Sequence, residues 1–333
     1  MTDRTPPEGR AGVRTIALEE HFWSPELATP SGWIMEAMGE RLDEQLRDVG
    51  EQRVKEMDAA GIDLQVVSHT TPAAQNREPA EGSSLARAAN GRLAAAVRAR
   101  PDRFAGFATL PTADPPAAAD ELERTVTEHG FVGAMVNSTL GTNGAFLDDA
   151  RFEPLLDRAE RLGVPIYLHP SEPPPALRDV LYGGLPPTSA AILSTAGWGW
   201  HAEAGLHALR LVVAGVFDRH PGLRLILGHA GEMLPFMLQR IDDRMPPELT
   251  GLARLPSEYL LEHLWVTTSG MFSLPPLLCT VQVFGIDRVL FSVDYPYSPN
   301  ASGRSLLDRL PLSPADRARI TGGNAARLLG LAA

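Results

Sequence analysis

Side chains that bind metals and transfer protons follow several short apolar segments of this sequence. Glu19 and His21 follow the first of these segments, and Asp294 follows the last. Between them, His169 and His229 each come at the end of a segment of their own. Neutral imidazoles and carboxylates are ligands of Zn2+ and Mn2+, and both can act as general acids or bases. The residue types therefore indicate metal-assisted chemistry, provided that the fold brings these positions together.

The spacing of Glu19 and His21 suggests that the two side chains act together. Residues at positions i and i+2 of a strand share a face, so both can point at the same spot. Glu20 should then turn to the other face and have a structural role. Ionisable groups at the ends of apolar strands are costly to bury unless they are paired or bind a metal.

The elements that must position these residues are eight apolar segments separated by helical patterns. Each segment is almost continuously apolar, as is typical of a parallel strand that is covered on both faces. The predicted strands cover residues 15–18, 64–68, 104–109, 132–137, 165–169, 223–228, 264–268 and 289–292. Alternating strands and helices predict an α/β fold, and eight such units in 333 residues predict a closed (β/α)8 TIM barrel.

An open doubly wound sheet is the alternative architecture for this alternation. It is disfavoured because its glycine-rich phosphate-binding turn is missing: the first strand continues into the segment EEHFW at 19–23. We expect one barrel domain over residues 15–333, preceded by a disordered polar tail over residues 1–14. The loops that follow the strands form the catalytic face of such a barrel, so the candidate residues should meet at one rim.

Charge and composition exclude several classes of function. The net charge is −11, with 30 basic and 41 acidic residues, which argues against binding of nucleic acid. No apolar run is long enough to span a membrane, and the first residues lack the apolar core of a secretory signal. Cys279 is the only cysteine, so no internal disulfide can form and a cytoplasmic protein is expected. Lys55 is the only lysine, so chemistry that needs a lysine must use Lys55 or be absent.

Two long segments interrupt the alternation and are predicted to be loops on the catalytic face. They cover residues 23–45 and 170–200, and the second is rich in proline, glycine and tryptophan. Long loops in compact domains commonly form lids or binding walls. We interpret both segments as walls of a substrate pocket, while packing against a neighbouring subunit is an equally good interpretation of the second.

Motifs along the chain resemble the amidohydrolase superfamily, in the branch of aminocarboxymuconate-semialdehyde decarboxylase and the ortho-hydroxybenzoate decarboxylases. The matching segments are IALEEHF (16–22), RPDRFAGFATLP (100–111), GFVGAMVNS (130–138), VPIYLHP (164–170), GVFDRHPGLRLILGHAGEMLPFMLQRID (215–242), VTTSGMF (266–272), DRVLFSVDYPY (287–297) and GGNAARLLGL (322–331). The resemblance covers nearly the whole chain from residue 14 onward. The Glu-x-His opening is more similar to the benzoate decarboxylases, such as γ-resorcylate and 2,3-dihydroxybenzoate decarboxylase, than to the semialdehyde enzyme.

The resemblance implies a metal-ligand set and a pair of catalytic residues. One divalent ion, Zn2+ or Mn2+, would be bound by Glu19, His21, His169 and Asp294. His229 would lie next to the reacting centre, and Glu232 would orient it. Binuclear members of the superfamily use a lysine after the fourth strand, which here ends in VNS (136–138), so a single ion is expected.

The resemblance also implies substrate contacts and a quaternary structure. Arg240 in the segment LQRID resembles an arginine that binds the substrate carboxylate and that relatives can supply from a neighbouring subunit. A homodimer or homotetramer is therefore expected. Phe22 and Trp23 after the first strand, His69 after the second and Asn137 after the fourth are further candidates for contact with the substrate.

The implied reaction is metal-dependent, non-oxidative decarboxylation of a small aromatic carboxylic acid with an ortho hydroxyl group. Asp294 is the expected proton donor to the carboxyl-bearing carbon, assisted by His229 and Glu232. The same groups could instead activate a metal-bound water, which makes a hydrolase or hydratase of a small cyclic or aromatic substrate the alternative. A metal-free binding protein built on an inherited barrel is a second alternative.

Overall fold

Strands and helices alternate along the chain. The computed structural model describes residues 14–27, 32–140 and 144–332, with the backbone only for residues 32–38. The predicted tail, apart from residue 14, lies outside the described residues. The strands are β1 Ile16–Phe22, β2 Leu64–His69, β3 Phe104–Gly106, β4 Ala108–Thr109, β5 Ala134–Asn137, β6 Ile166–His169, β7 Leu225–Leu227, β8 Leu264–Thr267 and β9 Val289–Leu290.

Helices connect the strands, except that β3 and β4 are separated by a single residue. They are α1 Gly32–Arg47, α2 Glu51–Ala60, α3 Pro79–Ala99, α4 Pro115–His129, α5 Glu153–Leu162, α6 Pro175–Tyr182, α7 Pro187–Ser194, α8 Gly199–Val213, α9 Val216–Arg219, α10 His229–Glu232, α11 Leu234–Arg244, α12 Pro247–Thr250, α13 Pro256–His263, α14 Leu274–Phe284, α15 Asn300–Arg309, α16 Pro314–Ala318 and α17 Asn324–Leu329. Left-handed glycines end several of them: Gly61 follows α2, Gly130 follows α4 and Gly163 follows α5. None of the helices among the described residues is both long and apolar enough to cross a membrane.

The strands follow one another, all parallel, around a barrel. One sheet has the order β1-β2-β3 and the other the order β4-β5-β6-β7-β8-β9. The segment 104–109 belongs to both, because Phe107 N donates to Val67 O (2.9 Å) and Ala108 N donates to Gly133 O (2.9 Å). At the other side a parallel bridge joins Leu18 to Ser292. The predicted (β/α)8 barrel is therefore confirmed, with one predicted strand divided into β3 and β4.

Alternate residues of the strands face two different apolar layers. Tyr167 on β6 and Ile226 on β7 belong to a cluster that fills the barrel interior, closed at one end by α17. Ile166 and Leu168 belong to the larger cluster between the strands and the surrounding helices. This alternation places His169 on the interior face, two residues after Tyr167, at the end of the barrel to which the strands run.

The two segments predicted as long loops contain helices, so that part of the prediction is wrong. Residues 32–47 form α1, and α6 and α7 lie within 170–200. The prolines that suggested a loop are at the first turns of α6 and α7, where a missing N–H costs nothing and the fixed φ favours the helix. Residues 28–31 lie outside the described part of the chain.

Gly133, just before β5, gives a test of the barrel packing. Its φ is +150°, and an added Cβ would lie 2.4 Å from the carbonyl oxygen of Pro165. Gly133→Ala should cost about 3 kcal/mol or more of stability, because overpacking and a glycine-only backbone each cost about 1–3 kcal/mol. The matched control is Gly163→Ala, whose φ is +66° with nothing within 4 Å. Backbone strain alone should cost the control about 1–2 kcal/mol. Equal losses in urea unfolding would contradict this packing.

Candidate metal centre and active site

The barrel rim brings together the four residues proposed as metal ligands. His169 Nε2 lies 3.4 Å from Glu19 Oε1, and His21 Nε2 lies 3.2 Å from Asp294 Oδ1. Glu19, His21 and His169 each offer one ligand atom, and these atoms lie within 4.8 Å of one another. The convergence arises because β1, β6 and the segment after β9 all end at the same rim.

Unusual backbone conformations bring these side chains to the rim. In β1 the register with β2 shifts between Ala17 and Glu20, and Glu19 has a φ of 60°. The side chains of Glu19 and His21 therefore converge through a bulge, and not through the regular alternation that the spacing suggested. Asp294, after β9, has a φ of 71°. Left-handed conformations of non-glycine residues cost energy and concentrate at functional sites, so the strain here supports a functional rim.

A left-handed turn after β7 carries the predicted catalytic pair. His229, Ala230, Gly231, Glu232 and Met233 all have positive φ, between 47° and 85°. The turn brings the two side chains face to face, with His229 Nδ1 2.6 Å from Glu232 Oε1. His229 Nε2 then faces the rim, 3.5 Å from Glu19 Oε1 and 3.9 Å from Asp294 Oδ2.

Glu19 presents one carboxylate oxygen to the rim and keeps the other in the barrel interior. The hydroxyl of Tyr167 donates to Oε2, and Thr267 Oγ1 lies 3.5 Å from the same oxygen. Gly228 leaves room for this pair, since a Cβ there would lie 3.0 Å from Glu19 Oε2. Glu19 Oε1 and His21 Nε2 are buried without a hydrogen-bond partner among the described residues. Two unpaired buried ligand atoms at one point fit a metal ion.

Asn137 orients one ligand instead of lining the cavity. Its Oδ1 lies 3.0 Å from His169 Nδ1, and its Nδ2 donates to Gln75 Oε1 (3.1 Å). Because Oδ1 is an acceptor, His169 Nδ1 carries the proton and Nε2 is left free to bind a metal. Such outer hydrogen bonds fix the tautomer and the orientation of metal-binding histidines.

Electrostatics at the rim favour ligand histidines and a charged His229. Burial and the nearby His21 and His229 lower the pKa of His169 well below its ordinary value, which favours the neutral imidazole that metal binding needs. Burial raises the pKa of Glu19. Burial also opposes ionisation of Asp294, but contacts with His21 and His229 hold its pKa at about 2. Burial lowers the pKa of His229, but the carboxylates of Glu232 and Glu19 outweigh it and raise that pKa well above the ordinary value.

Glu20 points away from the rim and has the expected structural role, although the bulge at Glu19 interrupts the regular strand alternation on which that expectation rested. Its Oε1 accepts a hydrogen bond from Val293 N (3.0 Å), and its Oε2 accepts one from Tyr295 N (3.2 Å). The buried Arg53 lies nearby and donates to the carbonyl of His21. Glu20 therefore ties β1 to the segment that carries Asp294.

A cavity of about 310 Å3 opens onto this rim. The residues that line it are Thr71, His169, Ala196, Trp200, His201, His229, Gly270, Met271, Asp294, Tyr297 and Ser298. Trp200 belongs to the segment 170–200 that was predicted as a pocket wall, whereas His201 and Tyr297 were not predicted as site residues, and nothing in their spacing distinguishes them. Tyr167 was also missed, although its position two residues before His169 indicates that the two share a face.

All five predicted substrate contacts lie outside the cavity lining. Phe22 is wholly buried and packs against the ring of His69 at 5.2 Å. His69 Nε2 accepts a hydrogen bond from Ser24 N (3.1 Å), and its Nδ1 donates one to Thr70 O (2.8 Å). Both ring nitrogens are therefore bonded to the backbone. Trp23 is buried under the guanidinium of Arg47, 3.8 Å from the ring centre. These side chains support the walls of the site from behind.

Arg240 lies on the exposed face of α11, outside the cavity lining of its own chain. Met233, Phe236 and Met237 share this exposed face, at positions seven, four and three residues before Arg240. They border an apolar groove of about 720 Å3 whose inner wall includes His201, His229 and Glu232. The groove and the cavity therefore meet at these side chains.

The fold and the site define a (β/α)8 barrel enzyme with a rim suited to a divalent cation. The family model described as Amidohydrolase (Amidohydro_2) matches residues 16–331, so the chain belongs to the amidohydrolase family.

Several curated and structural relatives are aromatic-acid decarboxylases. The chain is 41% identical to a gamma-resorcylate decarboxylase of Rhodococcus jostii (strain RHA1), over 95% of this chain and 98% of that protein. A 2,6-dihydroxybenzoate decarboxylase, solved in complex with 2,6-dihydroxybenzoate, superimposes with a TM-score of 0.87 at 37% identity, over 96% of this chain and 100% of that one. A dihydroxybenzoic acid decarboxylase of Polaromonas sp. JS666, with bound manganese and the inhibitor 2-nitroresorcinol, has a TM-score of 0.87 at 36% identity, over 96% and 97% of the two chains.

Asn137→Ala tests the role of the hydrogen bond behind His169. We expect affinity for Mn2+ to fall about 10–100-fold, because loss of such an outer partner frees the imidazole to rotate. Isothermal titration of the metal-free protein measures the change. Asn76→Ala changes an exposed asparagine three residues before α3; it is the matched control and should bind Mn2+ like the natural protein. Unchanged affinity in Asn137→Ala would contradict the role given to this side chain.

Proposed function

We propose that this protein is a metal-dependent, non-oxidative decarboxylase of ortho-hydroxybenzoic acids. One observation carries the proposal: Asp294 lies both in the proposed ligand set and on the cavity wall, within 3.9 Å of His229 Nε2. A carboxylate in that place can exchange protons with a substrate held at the metal. Relatives that cover nearly the whole chain include decarboxylases of dihydroxybenzoates, which supports the same reaction class.

The cavity suits one small aromatic acid. Its volume of about 310 Å3 is at the lower end of the range for ligand pockets. Trp200, Met271 and Ala196 supply apolar wall, while the ionisable groups are grouped at the rim. An apolar wall opposite a charged rim would hold the ring with its carboxylate towards the metal and would exclude water. 2,6-Dihydroxybenzoate, the substrate class of the relatives, is the first candidate.

Glu19, His21, His169 and Asp294 would hold a single divalent ion. When bound, the ion supplies a positive charge that orients the substrate carboxylate and the adjacent phenolate oxygen. Manganese is supported by the two carboxylates among the four ligands and by the manganese in the Polaromonas relative, while zinc also accepts this ligand set.

The residues of the chain then move one proton in each turnover. Glu232 holds His229 by Nδ1, so a proton on Nε2 faces Asp294 Oδ2. Asp294, whose pKa of about 2 keeps it ionised at rest, takes a proton from His229 Nε2 and delivers it to the carboxyl-bearing carbon of the ring, and His229 takes up a new proton from solvent. The carbon–carbon bond to the carboxylate then breaks, its electron pair restores the aromatic ring, and CO2 leaves. The carboxylate substrate and one proton become a phenol and CO2.

We propose, as the sequence suggested, a single domain over residues 15–333 and a cytoplasmic enzyme without nucleic-acid or membrane partners. The continuous core across the barrel and its helices supports one domain. The net charge of −11 and the single cysteine support the other assignments.

A second copy of the chain is proposed to cover the groove beside α11. Phe236 is 85% exposed and Trp198 is 53% exposed, which is unusual for large apolar side chains on a single copy. Because Arg240 shares this face, pairing would bring the arginine of a neighbouring copy towards the groove that leads to His229. A homodimer, or a tetramer built from dimers, is therefore the proposed working form.

Asp294→Asn tests the proton step. Release of CO2 from a panel of ortho-hydroxybenzoates, including 2,6-dihydroxybenzoate, should be readily measured with the natural Mn2+-loaded protein. The variant should release none, because an amide cannot deliver the proton. Asp287→Asn, an exposed acid seven residues earlier, should keep full activity. A turnover rate near that of the natural protein in Asp294→Asn would refute the proton-donor role. Hydrolysis of an ester or lactone analogue without CO2 release from the acids would favour the hydrolase alternative.

Phe236→Asp tests the proposed pairing. A charge in the apolar contact should shift light-scattering mass towards a single chain and lower kcat, since the groove loses its cover. Gln239→Asp, an exposed polar position on the same helix, is the control and should leave both measurements unchanged. A natural protein that is a single chain in solution and fully active would contradict the pairing.

A further inference from the structure

His201 lies between the cavity and the apolar groove and has no part in the reaction as described so far. It is the third residue of α8, and its side chain is one-fifth exposed. Its ring lines both spaces together with His229 and Ala196. His201 is therefore close enough to His229 to influence the orientation of its ring.

Glu232 is held between two imidazoles. Its Oε1 lies 2.6 Å from His229 Nδ1, and its Oε2 lies 2.7 Å from His201 Nδ1. The Glu232 side chain is fully buried, and these two are its only hydrogen-bond partners within the described part of the chain. A buried carboxylate that loses one of two donors must turn or take up water, because an unsatisfied buried oxygen is costly.

The second nitrogen of His201 fixes the ring. Nε2 lies 3.0 Å from the carbonyl oxygen of Ala196. Each ring nitrogen of His201 therefore faces an oxygen within hydrogen-bond distance. The ring also meets His229 edge-on, with centroids 4.7 Å apart and an angle of 68° between the planes. His201 thus limits rotation both of the Glu232 carboxylate and of the His229 ring.

We propose that His201 is a positioning residue that holds Glu232, and through it keeps His229 Nε2 aimed at Asp294. This inference rests on the proposed decarboxylase function for its kinetic effect, but not for its structural effect. Without the donor at His201, Glu232 Oε2 loses its anchor and His229 no longer has one fixed orientation. Metal binding should be unaffected, because His201 contacts none of the proposed metal ligands.

Two variants separate the hydrogen bond from the bulk of the ring. His201→Phe keeps a ring but removes both donors, whereas His201→Asn keeps an N–H close to the position of Nδ1. We expect kcat for CO2 release to fall about 10–100-fold in His201→Phe, as for other outer hydrogen-bond partners, with little change in KM. His201→Asn should recover most of the rate. His129→Phe, a histidine at the end of α4, is the control.

Two measurements do not depend on the reaction. Titration with Mn2+ should give one ion per chain, with the same affinity in the natural protein and in both variants. In the Zn2+-loaded, 15N-labelled protein, the Nδ1–H signal of His229, assigned by its loss in His229→Gln, should move in His201→Phe and return towards its position in His201→Asn.

The outcomes decide between the alternatives. An unchanged kcat and an unmoved His229 signal in His201→Phe would overturn the proposal, as would equal damage in the Asn and Phe variants. A second Mn2+ per chain that disappears in His201→Phe would make the three residues a metal site instead. If the natural protein released no CO2 from any acid in the panel, the proposed function would fail, and the His229 signal alone would decide the role of His201.

Discussion

Two carboxylates, Glu19 and Asp294, meet at one rim of the barrel where water has little access. Glu19 is fully buried, and Asp294 is mostly buried. Charges in such a place are stable only if they are matched by positive charge and satisfied by hydrogen bonds. Among the described residues, the nearby groups that can carry positive charge are histidines. Glu19 Oε1 and His21 Nε2 still lack hydrogen-bond partners. The rim is therefore suited to a divalent cation.

The surrounding side chains determine which atoms of these groups face the rim. Tyr167 occupies one oxygen of Glu19 from inside the barrel, and Asn137 occupies one nitrogen of His169 from the side. Glu232 does the same for His229. In each of these three side chains, one polar atom is hydrogen-bonded to another side chain and the other polar atom faces the rim. The backbone strain at Glu19, His229, Glu232 and Asp294 is the energetic cost of this arrangement, and the packed barrel below supports it.

The sequence predicted the fold well because its signals are local and repeated. Apolar strands of similar length alternate with helices that end at glycines, so the barrel and the rim follow from the pattern. Departures from regular geometry could not be predicted in this way. The bulge at Glu19 and the left-handed turn at 229–233 depend on contacts with residues far along the chain. Proline-rich composition suggested loops at α6 and α7, where the prolines in fact begin helices.

The roles of the polar residues around the site could not be predicted from the sequence either. A side chain that contacts the substrate and one that only orients a metal-binding residue can be of the same type. Asn137 and His69 were expected in the pocket, yet they face His169 and the backbone, whereas His201 was not singled out and lines the cavity. The measurement that tests the account most directly is a crystal structure of the Mn2+-loaded protein, with the ion located by anomalous scattering. We predict one peak, bound by Glu19, His21, His169 and Asp294. No peak at this rim, or a peak bound by other residues, would contradict the central claim.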